Sequence, residues 1–252
     1  MSMPAARPEI TTPFLPVILP LMSVVLMGFL IIGLALPVLP YHVHDDLRFG
    51  TFAVGLVTGA QFAASLALRL PAGRFADTRG GKRAIILGLF LAMVGGGFYL
   101  CSSAVDTLPA LALLLILTGR AVIGAAESLM ITGAMALGLA LTGPQHSGRV
   151  IAWVGTAMFA AFAVGAPLGT MVFNAQGFLW IAWASVGLPV VAMAAVRGLP
   201  DPHTRTLSGP PALQGVMTAV WLPGLGAAFN GVGFAAPLNQ VTSNREQSGR
   251  DE

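Results

Sequence analysis

Two ionisable residues, Arg120 and Glu127, stand in the otherwise uncharged and apolar residues 108–141. On an α-helix, seven residues make two turns, so both side chains would lie on nearly the same face, about 10 Å apart. Opposite charges on one face favour a shared polar cavity or a proton path. Two alternatives stay open. Serines, waters or carbonyls hold each charge for packing alone, or Arg120 lies near the cytoplasmic end of a membrane helix and snorkels to its surface.

Other polar residues give weaker signals. Gln61 lies in the apolar residues 51–70 and could line the same polar path, although a lone amide more often packs between helices. The histidines and aspartates of residues 42–46 suggest a metal site, but a short solvated connection is the preferred interpretation, so no metal is predicted. The chain has no Gly-x-x-x-x-Gly-Lys-Ser/Thr phosphate loop and no pairing of a nucleophile with a base. We therefore expect no ATP, no cofactor and no enzyme activity.

Composition places these residues in a membrane protein. Hydrophobic residues make up 56% of the chain and charged residues only 9%, whereas soluble domains are about a quarter charged. Several apolar runs reach the roughly 20 residues that cross a bilayer. The single cysteine, Cys101, excludes an internal disulfide. The net charge of +3 lies mostly in short connections, so the expected partner is the lipid bilayer rather than a nucleic acid.

The predicted fold is all-α, a polytopic bundle of membrane helices. Six spans form residues 13–197, and a seventh, interrupted by Pro223, follows at 215–236. A short tail (1–12), a connecting loop (198–214) and a polar, disordered tail (237–252) complete the organisation. The predicted spans are 13–39, 51–70, 84–103, 108–141, 150–173, 178–196 and 215–236. The first span is too long for a signal peptide and is interpreted as a retained anchor.

Basic residues predict the orientation. With the N-terminus in the cytoplasm, nine Lys and Arg residues face inward and three face outward, and Arg120 lies within a span. Cytoplasmic connections carry the excess of positive charge in membrane proteins. The sequence therefore predicts a multi-pass protein of the plasma membrane, the inner membrane in a bacterium, with a cytoplasmic N-terminus.

The densest charge lies between the second and third spans. The residues from Arg69 to Arg83 hold six of the chain's 13 basic and 10 acidic residues. Any cytoplasmic loop collects basic residues, but that does not explain the spacing of Gly73, Asp77 and Gly80. Glycines allow a tight turn, and an aspartate at a helix start accepts backbone N–H bonds. We therefore predict a compact loop with Asp77 at a helix start.

This stretch resembles the signature loop of the major facilitator superfamily, Gly-x-Leu-Ala-Asp-Arg-x-Gly-Arg-Lys/Arg-Lys/Arg. The matching residues are Gly73, Ala76, Asp77, Gly80, Lys82 and Arg83, and the departures are Phe75, Thr78 and Gly81. One usual basic position is lost, while Arg79 adds a charge beside it. The resemblance implies that this loop is a cytoplasmic gate, in which Asp77 engages a helix end in the second half of the transporter.

Two further motifs are similar to those of the family. Arg120 and Gly124 fit the fourth-helix pattern Arg-x-x-x-Gly. Gly165, Pro167 and Gly169 resemble the fifth-helix motif of the antiporter branch, although Ala166 replaces a glycine. For this second motif, a bend and close helix packing explain the residues equally well.

The resemblance implies a transporter that moves a small molecule by alternating access, as proton-coupled efflux of a sugar-like or drug-like solute. Family members have two six-helix halves, and twelve spans need about 400 residues. This chain has 252 residues and becomes polar after Pro237. The alternatives are a truncated protein that carries nothing, a short natural variant, and a half-transporter that acts after self-association or with a missing C-terminal half.

Overall fold

Residues 14–105 and 107–201 are described by a computed structural model, in which six long helices succeed one another. They are α1 (Phe14–Tyr41), α2 (Thr51–Arg79), α3 (Gly81–Ser103), α4 (Pro109–Thr142), α5 (Ser147–Gln176) and α6 (Phe178–Arg197). A π-helical turn, His42–Asp46, follows α1, and a 3-10 turn, Pro144–His146, precedes α5. The predicted seventh helix (215–236), both tails and most of the 198–214 loop lie outside the described residues.

All six described helices are long and apolar enough to cross a membrane. The prediction of six spans within residues 13–197 is therefore confirmed, and most helix ends fall within three residues of the predicted ones. Helices are expected in a hydrocarbon environment, since no water is available there for unpaired backbone N–H and C=O groups.

The largest difference from prediction lies at the basic stretch, which is helix rather than loop. α2 continues to Arg79, and the turn consists of Gly80 alone, with a φ of 97° that favours glycine. Ala72 and Ala76, one turn apart, pack with Ala84 into a small apolar cluster that holds the extended end of α2. The expectation of Asp77 at a helix start is therefore wrong, because Asp77 lies in the last turn of α2.

Short connections make consecutive helices antiparallel, and α4 lies at the centre of the packing. It contacts α3 and α2 most extensively and also reaches α1. α1 packs along α5 and α6, and α3 packs along α6. The described helices belong to one compact unit.

Small residues at seven-residue intervals bring α3 and α4 into backbone contact. A Cβ atom added to Gly95 would lie 3.0 Å from the carbonyl oxygen of Gly119, and one added to Gly88 would lie 2.9 Å from that of Ala126. Any side chain at these positions would force the two helices apart. The successive facing pairs are Gly95 with Gly119, Gly88 with Ala126, and Gly81 with Gly133.

The Gly165–Gly169 motif packs α5 against α1. Gly165 and Gly169 are buried, and Cβ atoms added to them would meet the backbone of Gly33 and of Leu34. Pro167 is exposed between them, and α5 is continuous past it. The structure thus places the two glycines at a helix contact and the proline away from it.

Two adjacent glycines of α3 allow a test of this packing. A Cβ atom added to Gly96 would lie 2.6 Å from the carbonyl carbon of Ser185 on α6, whereas one added to Gly97 would meet nothing within 4 Å. We expect Gly96→Ala to lower the free energy of unfolding by about 1–3 kcal/mol through overpacking. Gly97→Ala should leave it unchanged or raise it by up to about 1 kcal/mol. Thermal unfolding in detergent measures both, and equal effects of the two variants would contradict this packing.

Candidate functional site

The candidate site is a polar seam between α2 and α4, and its residues face one another in a constant register. Val57, Gln61 and Ser65 follow each other at four-residue intervals on α2, and all three are buried. Each faces the α4 residue that lies 63 positions further along the chain, so the two helices run parallel. We use the name polar seam for Val57, Gln61, Ser65, Arg120, Gly124, Glu127 and Ser128.

Arg120 is the largest charged group inside the bundle. Its side chain is 1% exposed, and its Nε donates a hydrogen bond of 3.3 Å to the carbonyl oxygen of Val57. The snorkelling interpretation is therefore wrong, because the guanidinium stays between the helices. Its Nη1 atom has no partner among the described residues. The buried hydroxyl of Tyr99 on α3 lies beside the guanidinium, yet the two groups do not form a hydrogen bond with each other.

Glu127 is held from α2 by the amide of Gln61. Nε2 of Gln61 donates a hydrogen bond of 2.9 Å to Oε2 of Glu127. Gln61 is fully buried, whereas Glu127 is half-buried. The amide oxygen of Gln61, Oε1, has no partner in the described part of the chain. One half-accessible carboxylate is thus tied to a buried amide that keeps a free acceptor.

Gly124 makes this contact possible. A Cβ atom added to it would overlap the backbone carbonyl oxygen of Gln61 and lie 3.0 Å from Cβ of Ala64. Because the helices touch here through backbone, the short side chains on either side can bond across the interface. The glycine of the Arg-x-x-x-Gly pattern therefore sets the distance between α2 and α4.

Serines continue the polar seam beyond Glu127. The Ser128 hydroxyl donates a hydrogen bond of 2.5 Å to the Ser65 carbonyl oxygen, and the two hydroxyls are 3.3 Å apart. Sequence reasoning missed both serines and also Tyr99. The four-residue spacing of Gln61 with Ser65, and of Gly124 with Ser128, is the signal from which the serines could have been found.

The structure brings Gln61, Arg120 and Glu127 to one interface but gives each charge its own partner. Arg120 bonds to a carbonyl and Glu127 to an amide, and no ion pair joins them. Among the described residues, the one contact within 4 Å between a basic side chain and a carboxylate joins His42 Nδ1 to Asp46 Oδ2, at 2.7 Å. The charges thus share the polar seam without neutralising each other directly.

The predicted gate residues lie at the α2–α3 turn. Asp77, Arg79 and Arg83 are exposed there, and Gly73 is half-buried. Lys82 differs from its neighbours, because its ammonium turns toward the end of α6. The predicted partner of Asp77 in a second half lies outside the described residues.

The opposite end of the bundle carries the histidines of residues 42–46, and the expectation that this connection is solvated is wrong for His42, which is buried. His42 is 6% exposed, bonds to Asp46 and stacks on Phe178, with ring centroids 4.0 Å apart. His44 bonds instead to the backbone carbonyl of Phe49, at 3.0 Å. No group of three potential metal ligands occurs in residues 14–105 and 107–201. Both histidines thus bond within residues 42–49, and His42 also packs on the first residue of α6.

The fold and the polar seam together define a multi-pass helical membrane protein with buried charges between its spans. Comparison of sequences then identifies the family. The chain belongs to the Major Facilitator Superfamily, whose sequence profile matches residues 21–244. Members of this family are transporters rather than enzymes, as the sequence predicts.

The curated relatives are bacterial proteins described as uncharacterised MFS-type transporters. One from Salmonella typhimurium is 37% identical over 209 residues, covering 83% of this chain and 54% of the relative. YhhS of Escherichia coli is 34% identical over 255 residues, covering 100% and 62%. One from Burkholderia pseudomallei is 36% identical over 219 residues, covering 85% and 52%. The chain therefore spans between half and two thirds of the length of these relatives.

A double-mutant cycle tests the bond across the polar seam. Gln61→Leu leaves the Glu127 carboxylate without its donor, so we expect it to lower the free energy of unfolding by about 1–3 kcal/mol. In the background of Glu127→Gln, Gln61→Leu should lower the free energy of unfolding by less, because no carboxylate charge is left without a donor. Chemical or thermal unfolding in detergent measures this coupling.

Thr156→Val supplies the control for that cycle. Thr156 is exposed on α5 and bonds only within its own helix. The changes in the free energy of unfolding caused by Thr156→Val and by Gln61→Leu should add within about 0.5 kcal/mol. Additivity of Gln61→Leu with Glu127→Gln would show that the 2.9 Å bond does not form.

Proposed function

We propose that this chain is the N-terminal half of a transporter that moves a small molecule by alternating access. The most specific form of this proposal is proton-coupled efflux of a sugar-like or drug-like solute across a bacterial inner membrane. The observation that carries the proposal is the polar seam, in which Arg120 is buried and Glu127 is half-accessible. Ionisable residues inside membrane spans are costly and mark substrate or proton pathways by default.

A proton on Glu127 would change the net charge of the polar seam, and this is the reason that we propose Glu127 as the proton site. With Glu127 ionised, the polar seam holds one positive and one negative charge and is neutral overall. A proton on Glu127 leaves the seam with the uncompensated charge of Arg120, and charge is expensive where the dielectric constant is low. Protonation would also change the acceptor strength of the carboxyl group to which Nε2 of Gln61 donates its hydrogen bond. One proton would therefore change both the charge of the α2–α4 interface and its hydrogen bonding.

The exposed faces of α2 and α5 support the presence of a second half. Large apolar side chains stand out from both helices, among them Phe52, which is 85% exposed, and Met171, which is 67% exposed. A shallow groove along α5 is lined by Ile151, Phe159 and the small residues around them. Since the relatives are longer than this chain, we propose that these faces pack partly against six further helices and partly against lipid.

In this proposal the α2–α3 turn faces the cytoplasm and acts as the gate. Asp77 is exposed at the end of α2, where a partner from the second half can reach it. Its carboxylate would favour the N-terminal end of a helix in that half. The excess of basic residues at this end supports the same orientation, with a cytoplasmic N-terminus.

Flux into proteoliposomes tests the transport proposal. The chain is reconstituted either alone or after co-expression with the part of E. coli YhhS beyond the aligned residues. Uptake of labelled sugars and fluorescent cationic drugs is followed with and without an imposed pH gradient. We expect gradient-dependent flux that requires the second half, because alternating access needs two bundles. Flux by the chain alone would favour a homodimer of halves.

Glu127→Gln and Asp46→Asn form a matched pair for the proton site. Both replace a carboxylate by its amide, but Asp46 is exposed in the π-helical turn after α1 and lies outside the polar seam. Glu127→Gln should abolish the part of the flux that depends on the pH gradient, and Asp46→Asn should retain it. Equal flux in the two variants would exclude Glu127 as the coupling residue. No flux for any solute with either preparation would support the non-transporting alternative.

A further inference from the structure

Lys82 makes contacts that the gate prediction does not explain. It is the second residue of α3, and its ammonium donates hydrogen bonds to two carbonyl oxygens at the end of α6. Nζ lies 3.2 Å from the Arg197 oxygen and 2.6 Å from the Leu199 oxygen. These residues are more than one hundred positions away in the chain, so the contact joins two distant helix ends.

The charges at the two helix ends account for this arrangement. The first turn of α3 is the positive end of a helix dipole, and a lysine there is unfavourable. The last turn of α6 is a negative end, where carbonyl oxygens lack intrahelical donors. The N–H groups of Gly198 and Leu199 bond back to Ala195 and Val196, and within residues 14–105 and 107–201 no backbone N–H group bonds to the carbonyls of Arg197 and Leu199. The ammonium of Lys82 is the donor to both carbonyls.

The end of α6 is also anchored by apolar contacts. Val196 is fully buried, and Leu199 is only 4% exposed although it lies beyond the helix. Pro200 follows and cannot continue a helix. The neighbouring Arg83 is exposed and has no hydrogen bond to α6 among the described contacts. Lys82 alone of this adjacent basic pair thus bonds to the end of α6 and to the residues just after it.

We propose that Lys82 is a clamp that fastens the end of α6, and the first residues after it, to the start of α3. Residues 198–201, which follow α6, are then held at a fixed position on the six-helix unit. This role differs from the gate role of the same turn, because the partner is a helix of this unit rather than of a second half. It does not depend on transport, so the two proposals can fail separately.

Cysteine labelling in membranes tests the clamp on the full chain. Cys101→Ser removes the native thiol, and Leu199→Cys then provides a buried reporter whose backbone oxygen can still accept the Lys82 bond. The rate of maleimide labelling measures how often this position opens. We expect Lys82→Met to raise the rate at least fivefold and Lys82→Arg to restore it to near the parent value. Arg83→Met removes the same charge from the adjacent residue and should leave the rate unchanged.

A second reporter separates loss of the clamp from loss of the fold. Ser185→Cys lies in the buried middle of α6, where Gly96 of α3 packs. Its labelling should be equally slow with Lys82 and with Lys82→Met. Unchanged labelling at position 199 in Lys82→Met would overturn the proposal. A rise of equal size in Arg83→Met would do the same, as would a parallel rise at position 185.

Discussion

The structure depends on the close approach of helix backbones in a medium that offers no water. In hydrocarbon, backbone groups bond within helices, and burial of apolar surface no longer draws one helix to another. Dispersion contacts and interhelical hydrogen bonds remain, and both require short distances. Glycine and alanine supply those distances on two sides of α4, where Gly119 and Gly133 face α3 and Gly124 faces α2. α4 is the centre of the packing for that reason.

The same close approach makes a buried charge tolerable. Arg120 cannot reach water, so a carbonyl of α2 must lie within hydrogen-bond distance of it, and the contact at Gly124 brings α2 that near. The three buried side-chain atoms without partners in the described residues belong to Gln61, Tyr99 and Arg120. Buried polar groups in native interiors are nearly always hydrogen-bonded, so these three atoms are free to bind a water, an ion or a solute. Their concentration beside one interface separates the polar seam from the rest of the bundle.

Hydrophobic run length was enough to predict six spans, because the bilayer demands about 20 apolar residues whatever the neighbouring helices are. The ends of α3, α4, α5 and α6 followed closely from the sequence. The end of α2 did not, because Ala72 and Ala76 extend that helix through contacts with Ala84 and Leu129, and not through local sequence. The same extension explains why Asp77 ends a helix instead of starting one. The alternative that Arg120 snorkels is wrong. The sequence could not exclude it, because a linear sequence does not show which helix covers a side chain.

The sequence by itself determined the membrane class, the described spans and the family, since these depend on composition, run length and a local motif. It also singled out Arg120 and Glu127, because charge in an apolar run is visible without coordinates. Only the tertiary structure decided what these charges contact, that Gln61 holds Glu127, and that Lys82 turns to α6. Those outcomes depend on which faces of two distant helices meet and in which register. Packing between backbones sets that register, and no single helix encodes it.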